Sequence, residues 1–182
     1  MKISVIGYSG AGKSTLAAKL GELYSAPVLH LDTVQFLPDW QVRPLDDGRR
    51  IVYDFMQNEK KWVIDGNYGK FFRKERLEQS DMIIFMDFPR IVCLYYAFGR
   101  YLKFRGKNRP DMADGCKEKF DRDFFWWILR GGRTKERRHS YKQICVEHKA
   151  KLVRLKSRRA ANSFMRTLAN KTNYEEIAQY RT

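Results

Sequence analysis

The chain is short of several things at once, and each shortage removes a class of protein. It has three cysteines, Cys93, Cys116 and Cys145, in 182 residues, an odd number with none of the close spacings that build zinc sites or redox pairs. A disulfide scaffold is therefore excluded, and a reducing compartment is the expectation. Long apolar runs are missing too. The longest, MIIFM and FFWWIL, fall far short of the roughly twenty residues that cross a bilayer. The opening MKISVIGYSG reaches glycine too early to hold the apolar stretch of a secretory signal. These shortages predict a soluble, cytoplasmic protein with no membrane partner.

Acidic residues are scarce, but only in one part of the chain. Residues 1–99 hold 13 Lys/Arg against 12 Asp/Glu, whereas residues 100–166 hold 21 against 7, so nearly all of the formal charge of +15 sits in one segment. Two partners fit such a segment: the phosphates of a small substrate under a basic lid, or the backbone of a nucleic acid. A solvated basic face with no partner fits it as well.

What is present organises itself around GYSGAGKST at residues 7–15. KISVI before it is a β-branched apolar run, and Leu16, Leu20 and Leu23 after it recur at helical spacing, so the stretch reads as strand, loop, helix. Gly7, Gly12, Lys13 and Ser14 complete G-x-x-x-x-G-K-[ST] in that context. Backbone N–H groups of Gly7, Tyr8, Ser9, Gly10, Ala11 and Gly12 can converge on phosphate oxygens, helped by the positive end of the following helix. Lys13 would neutralise the β/γ oxygens, the Ser14 hydroxyl would ligate Mg2+, and Thr15 would reach the α-phosphate. ATP with Mg2+ is the expected ligand.

PVLHLD (27–32), KWVID (61–65), DMIIFMD (81–87) and KLVRLKS (151–157) are further short apolar runs of the kind buried on both faces of a parallel sheet. Amphipathic patterns separate them, notably after Pro89, where apolar residues recur three and four apart from Ile91 to Leu102. The expectation is an α/β, three-layer P-loop NTPase fold: about five parallel strands, helices on both faces and right-handed crossovers. The length suits a single domain over 1–182. Residues 105–147, turn-rich, then aromatic, then basic and helical, read as an inserted lid-like segment.

Other absences narrow the reaction. No N-K-x-D or T-K-x-D string recognises guanine, no D-x-x-G follows the second strand, and no apolar strand ends in an Asp-Glu pair. A GTPase switch and a motor ATPase are disfavoured; a kinase with a late basic lid is not. Asp32 and Asp65 follow two of the strands and would stand at the carboxyl edge of the sheet, where ligands bind. Asp65 before Gly66 suits a hydrated Mg2+. Asp32 can take a proton from an attacking hydroxyl but would repel an acceptor that is already a phosphate, so a hydroxyl acceptor is favoured over a nucleoside monophosphate. Phe36, Pro38 and Trp40 could wall a pocket for a planar ring. The histidines, including His30, have no partner at metal-ligand spacing and read as structural. Trp126 and Trp127 read as packing between the inserted segment and the core.

Taken together, GYSGAGKST, HLDTVQFLPDW, WVIDGNY, IIFMDFPR, RGKNRPDM and RLKSRRAANSFM resemble the adenylate-kinase-related proteins called DNA topology modulation (FlaR-type) proteins, over almost the whole chain. The resemblance implies the P-loop fold of the nucleoside monophosphate kinase group and ATP with magnesium as donor, with the acceptor unspecified. WVIDGNY is similar to those kinases' D-G-F-P-R segment at Asp65 and Gly66, but Asn67 and Tyr68 replace the part that grips an acceptor phosphate. Arg73 lies where it could substitute. Arg100 and Arg105 resemble lid arginines that quench charge on the transferring phosphate, Arg109 is a third of that kind, and Arg158 resembles a residue that packs on the adenine. The reading is an ATP-dependent small-molecule kinase whose acceptor is a hydroxyl, nucleoside-like among the options. The alternative is a nucleic-acid-binding protein that uses ATP as a regulatory ligand and residues 100–166 as its basic face.

Overall fold

The computed structural model describes residues 1–107, 111–113 and 115–170. Five apolar runs form one sheet: β1 (Lys2–Gly7), β2 (Val28–His30), β3 (Trp62–Asp65), β4 (Met82–Met86) and β5 (Leu152–Leu155). Every pairing is parallel and the order is β2-β3-β1-β4-β5. The chain crosses over on both sides of β1, so the loop after β1 opens at the point where the strand order reverses, the place where open parallel sheets bind ligands. Register sets the neighbours there: Val5 pairs with Asp65 on one side, and Gly7 with Met86 on the other.

The sheet is covered on both faces. Along β3, Val63 joins one apolar cluster with Leu16, Leu20, Cys93 and Phe164, while Trp62 and Ile64 join another with Leu31, Val52 and Phe71. Alternate residues of a strand point to opposite faces, so the two clusters are the two sides of one three-layer sandwich. The first is covered by α1 (Lys13–Tyr24), α5 (Arg90–Phe104) and α8 (Arg158–Ala169), the second by α2 (Leu31–Gln35) and α3 (Leu45–Asn58). A short α4 (Arg73–Gln79) follows β3, and α6 (Arg122–Leu129) and α7 (Lys135–Glu147) form the described helices of the inserted segment. Among the described residues no helix is long and apolar enough to cross a membrane.

Two boundaries differ from the sequence reading. The second strand stops at His30, and Asp32 stands in the first turn of α2, because the Thr33 hydroxyl turns back to the His30 carbonyl at 2.7 Å and folds the chain off the sheet. The sequence pattern of residues 51–56 suggests a helix that starts after Gly48, whereas Gly48 lies inside α3. An added Cβ would meet the Phe71 ring at 2.7 Å, so its lack of a side chain lets the helix close on Phe71.

Candidate active site

The loop between β1 and α1 is built by glycine where nothing else fits. A Cβ on Gly7 (φ 142°) would stand 2.4 Å from the Met86 carbonyl oxygen, and one on Gly10 (φ 81°) 2.3 Å from that of Cys93. Gly12 (φ 88°) differs: a Cβ there meets no atom within 4 Å, so it would project into the open cradle at the start of α1. Residues Ser9 to Thr15 line one cleft of about 1410 Å3, while the Tyr8 ring is buried beneath it, edge-on to Tyr141 at 5.2 Å. The Lys13 ammonium rests on the Tyr8 carbonyl at 3.3 Å. Burial holds its pKa below the ordinary lysine value, against the pull of Asp32 and Asp65. A half-buried ammonium with one carbonyl acceptor is ready for an anion in the cradle.

Four consecutive residues, the last of β3 and the three that follow it, connect everything else. Asp65, almost fully buried, accepts the Ser14 hydroxyl at 2.9 Å on one oxygen and meets His30 Nδ1 at 2.5 Å on the other. Burial opposes protonation of His30, but the hydrogen bond and charge of Asp65 outweigh it and leave the imidazole pKa raised. Gly66 donates to the Val5 carbonyl at 3.1 Å. Asn67 is joined to Gly7 by both ends of its amide, and the Tyr68 hydroxyl donates to Asp32 Oδ1 at 2.7 Å. Burial first, then the Asp32 charge, pushes the Tyr68 phenol well above its usual pKa, so it stays a donor. Below this run the buried Arg76 donates to the Phe71 carbonyl at 2.8 Å and the Tyr68 carbonyl at 3.0 Å, which fixes the turn.

Asp32 Oδ2 accepts from no protein group among the described residues, and Asp32 lines the same cleft as the loop. One oxygen is thus anchored, and the other is left without a protein donor among the described residues. Ser14 and Asp65 supply hard oxygen donors of the type Mg2+ prefers, which needs only one or two carboxylates and keeps water for the rest. The donor set and the open cradle both fit a magnesium nucleotide.

The inserted segment covers the loop. Trp127 on α6 donates its Nε1–H to the Ser9 hydroxyl at 3.2 Å and carries the Arg137 guanidinium 4.6 Å from its ring. Arg133, in a 3-10 turn between α6 and α7, donates to the Phe88 carbonyl at 2.6 Å and sits 3.5 Å over the Tyr8 ring. Arg100, on the last turns of α5, lines the cleft with its Nε bonded to the buried Glu118 at 2.8 Å. Arg158 opens α8, lines the cleft and lies 4.8 Å over the Tyr96 ring.

The structure thus gathers Lys13, Ser14, Thr15, Asp32, Asp65, Arg100 and Arg158 around one cavity. Arg105 is exposed beyond the end of α5 and Arg73 begins α4; neither is among the lining residues. Arg109 lies outside the described residues. His30, read as structural, touches Asp65 inside the cleft, and Trp127, read as packing, touches the loop. The first contact comes from the register of β2 against β3, which sets His30 beside Asp65, and no local pattern in the chain marks it. Asn67 and Tyr68 stood out only as a departure from a related motif.

No protein-family model matches the chain, and no curated protein sequence does. Among solved structures the chain is similar to the shikimate kinase from Acinetobacter baumannii in complex with shikimate, at 16% identity over 94% of this chain and 95% of that one, TM-score 0.55. The shikimate kinase from Bacteroides thetaiotaomicron is 17% identical over 93% and 96%, TM-score 0.53. A protein from Thermus thermophilus is 14% identical over 95% and 98%, TM-score 0.54. What is shared is the fold: an α/β architecture with a five-stranded parallel sheet between helical layers.

Proposed function

We propose that the protein is an ATP- and Mg2+-dependent phosphotransferase that moves the γ-phosphoryl group to a hydroxyl of a small acceptor, an adenylate-kinase-related enzyme working in the cytoplasm. The observation that carries this reading is Asp32: a carboxylate that lines the same cleft as the glycine-rich loop, anchored by Tyr68 through one oxygen and with no described protein donor on the other. The likeness in fold to a kinase solved with shikimate, a hydroxylated acid, supports an alcohol as acceptor.

In this mechanism the loop N–H groups and Lys13 hold the β- and γ-phosphates, and Ser14 and Asp65 hold the metal. Bound Mg2+ supplies positive charge to the phosphate oxygens. Asp32 Oδ2 accepts the acceptor's O–H, aligns its oxygen with the γ-phosphorus and takes the proton as the new P–O bond forms and the bond to ADP breaks. Arg100, oriented by Glu118, faces the charge spread over the transferring group. Arg158 offers its guanidinium plane to the adenine. Placement and charge compensation supply the acceleration, as little covalent chemistry is asked of the protein.

The test is a panel of nucleosides, nucleotides, sugars and hydroxy acids incubated with γ-labelled ATP and Mg2+. A labelled product that disappears in Asp32→Asn and Lys13→Ala supports the reading. Transfer to a phosphate-bearing acceptor that survives Asp32→Asn would count against it.

A further inference from the structure

We propose that the acceptor is the 5′-hydroxyl of a nucleoside unit that carries a phosphate on its 3′ side, a chemistry shared by free nucleoside 3′-phosphates and by the 5′-hydroxyl end of a nucleic acid strand. This rests on the phosphotransferase reading above and deepens it by naming the substrate class.

The argument starts from Trp40. Asp39 (φ 58°) and Trp40 (φ 63°) are consecutive non-glycine residues in the left-handed region, a costly conformation that persists only where its surroundings impose it. Here they do. Residues 37–40 are zipped to 115–119: the Trp40 Nε1–H donates to the Lys117 carbonyl at 3.1 Å, Cys116 Sγ donates to the Leu37 carbonyl at 3.2 Å, and Gly115 packs on Pro38. The result is a half-buried indole on the cleft wall, edge-on to Phe36 with ring centroids 5.2 Å apart.

Phe36 is one helical turn beyond Asp32, and its backbone N–H donates to the Asp32 carbonyl at 3.1 Å. Asp32, Phe36, Trp40 and Lys119 line the same cleft, with the Phe36 and Trp40 rings in contact and the Lys119 ammonium 5.2 Å from the Trp40 ring. Lys119 is exposed and has no carboxylate partner among the described residues. Each group selects a feature of the acceptor. Asp32 asks for a hydroxyl and repels a phosphate at the reacting position. The rings ask for a planar heterocycle. Lys119 asks for an anion close to the stacked ring. A nucleoside with its 5′-hydroxyl uncapped and its 3′-oxygen phosphorylated carries all three. The cleft, at about 1410 Å3, exceeds the roughly 300–1000 Å3 of a single small-ligand site, so donor and acceptor fit together. The basic excess of residues 100–166 offers further cations to a longer strand. In the reaction the 5′-oxygen bonds the γ-phosphorus, its proton passes to Asp32, and ADP leaves with the electron pair of the broken P–O bond.

The experiment uses the full chain, Mg2+, γ-labelled ATP and four acceptor arms: adenosine and thymidine, their 3′-monophosphates, an eight-nucleotide single strand with a 5′-hydroxyl, and shikimate with a sugar series. The 3′-phosphate is expected to lower KM about tenfold relative to the nucleoside. A still lower, salt-sensitive KM for the strand identifies strand ends as the source; equal values identify the free nucleotide. Trp40→Ala should raise the acceptor KM by about 10- to 100-fold and Trp40→Phe should recover part of it, with the KM for ATP unmoved. Lys119→Ala should erase the preference for the 3′-phosphate. Label on shikimate or sugars alone, no effect of the 3′-phosphate, or an unmoved KM in a folded Trp40→Ala overturns the assignment. No labelled nucleoside product, while MgATP still binds in a Lys13-dependent manner, overturns the acceptor and leaves the donor site standing. Loss of MgATP binding in the parent protein overturns the reading beneath it.

Discussion

Asn67 and Gly7 hold each other by both ends of an amide: the Gly7 N–H donates to Asn67 Oδ1 at 3.0 Å, and Asn67 Nδ2 donates to the Gly7 carbonyl at 2.5 Å. Gly7, which opens the glycine-rich loop, is thereby fastened to the residue two places after Asp65. The loop and Asp65 keep one geometry because a single side chain spans two parallel strands.

Removing that clasp has a definite cost. Asn67→Ala leaves a part-buried N–H and C=O without their partner, worth about 1–3 kcal/mol each if unsatisfied and less where water enters. A melting temperature lower by about 3–10 °C is expected, together with weaker MgATP binding in calorimetry. Asn67→Asp keeps an acceptor for the Gly7 N–H but loses the donor to its carbonyl, so it should fall between the parent and the alanine variant. An alanine variant that melts and binds like the parent would show that the clasp is idle.

Tyr68→Phe removes only the hydroxyl that anchors Asp32. A hydrogen bond to a charged group contributes about 1.5–3 kcal/mol, so kcat/KM for the acceptor should fall about tenfold or more while the affinity for MgATP stays put. Asp32→Asn, which cannot take the proton, should lose about 100-fold or more in kcat. If both variants lost ATP affinity and acceptor turnover in equal proportion, Asp32 would belong to the donor site instead.

The Arg100 and Glu118 pair separates charge from placement. Glu118 is 2% exposed and holds Arg100 Nε at 2.8 Å. Arg100→Ala is expected to slow transfer by about 1000-fold, the scale seen when an arginine that meets transferring phosphate is lost. Arg100→Lys restores the charge without the planar fork and should recover a minor part. Glu118→Gln keeps a hydrogen-bond acceptor and should cost less than either. Rapid-quench single-turnover rates for the three variants give the ranking directly.

Trp127 reports on the loop. Its Nε1–H donates to Ser9 Oγ, and the ring is 39% exposed. Phosphate groups that engage the loop change the surroundings of that bond, so MgATP should shift the intrinsic fluorescence, and Trp127→Phe should remove most of the shift. A full shift in Trp127→Phe would place the signal on Trp40, Trp62 or Trp126.

Much of this architecture was legible in the residues. Short β-branched runs too apolar for one-sided burial announced parallel strands, and each of KISVI, WVID, MIIFM and LVRL is a strand of the sheet. GYSGAGKST announced its loop because only glycine fits beside the Met86 and Cys93 carbonyls. Asp32 and Asp65 were legible as carboxylates at strand ends, although Asp32 proved to stand in the first turn of a helix. The roles of His30, Tyr68 and Trp127 were not, because each depends on a partner between 35 and 118 positions away in sequence.

The strands and the glycine-rich loop follow from the residues alone, because periodicity and glycine spacing act between neighbours a few positions apart. The clasp of Asn67 on Gly7, the anchoring of Asp32 by Tyr68 and the place of Trp40 in the cleft wall beside Lys119 come from the folded arrangement. Those contacts arise from strand order and register, which bring distant side chains within hydrogen-bond reach and leave no periodic trace in the chain.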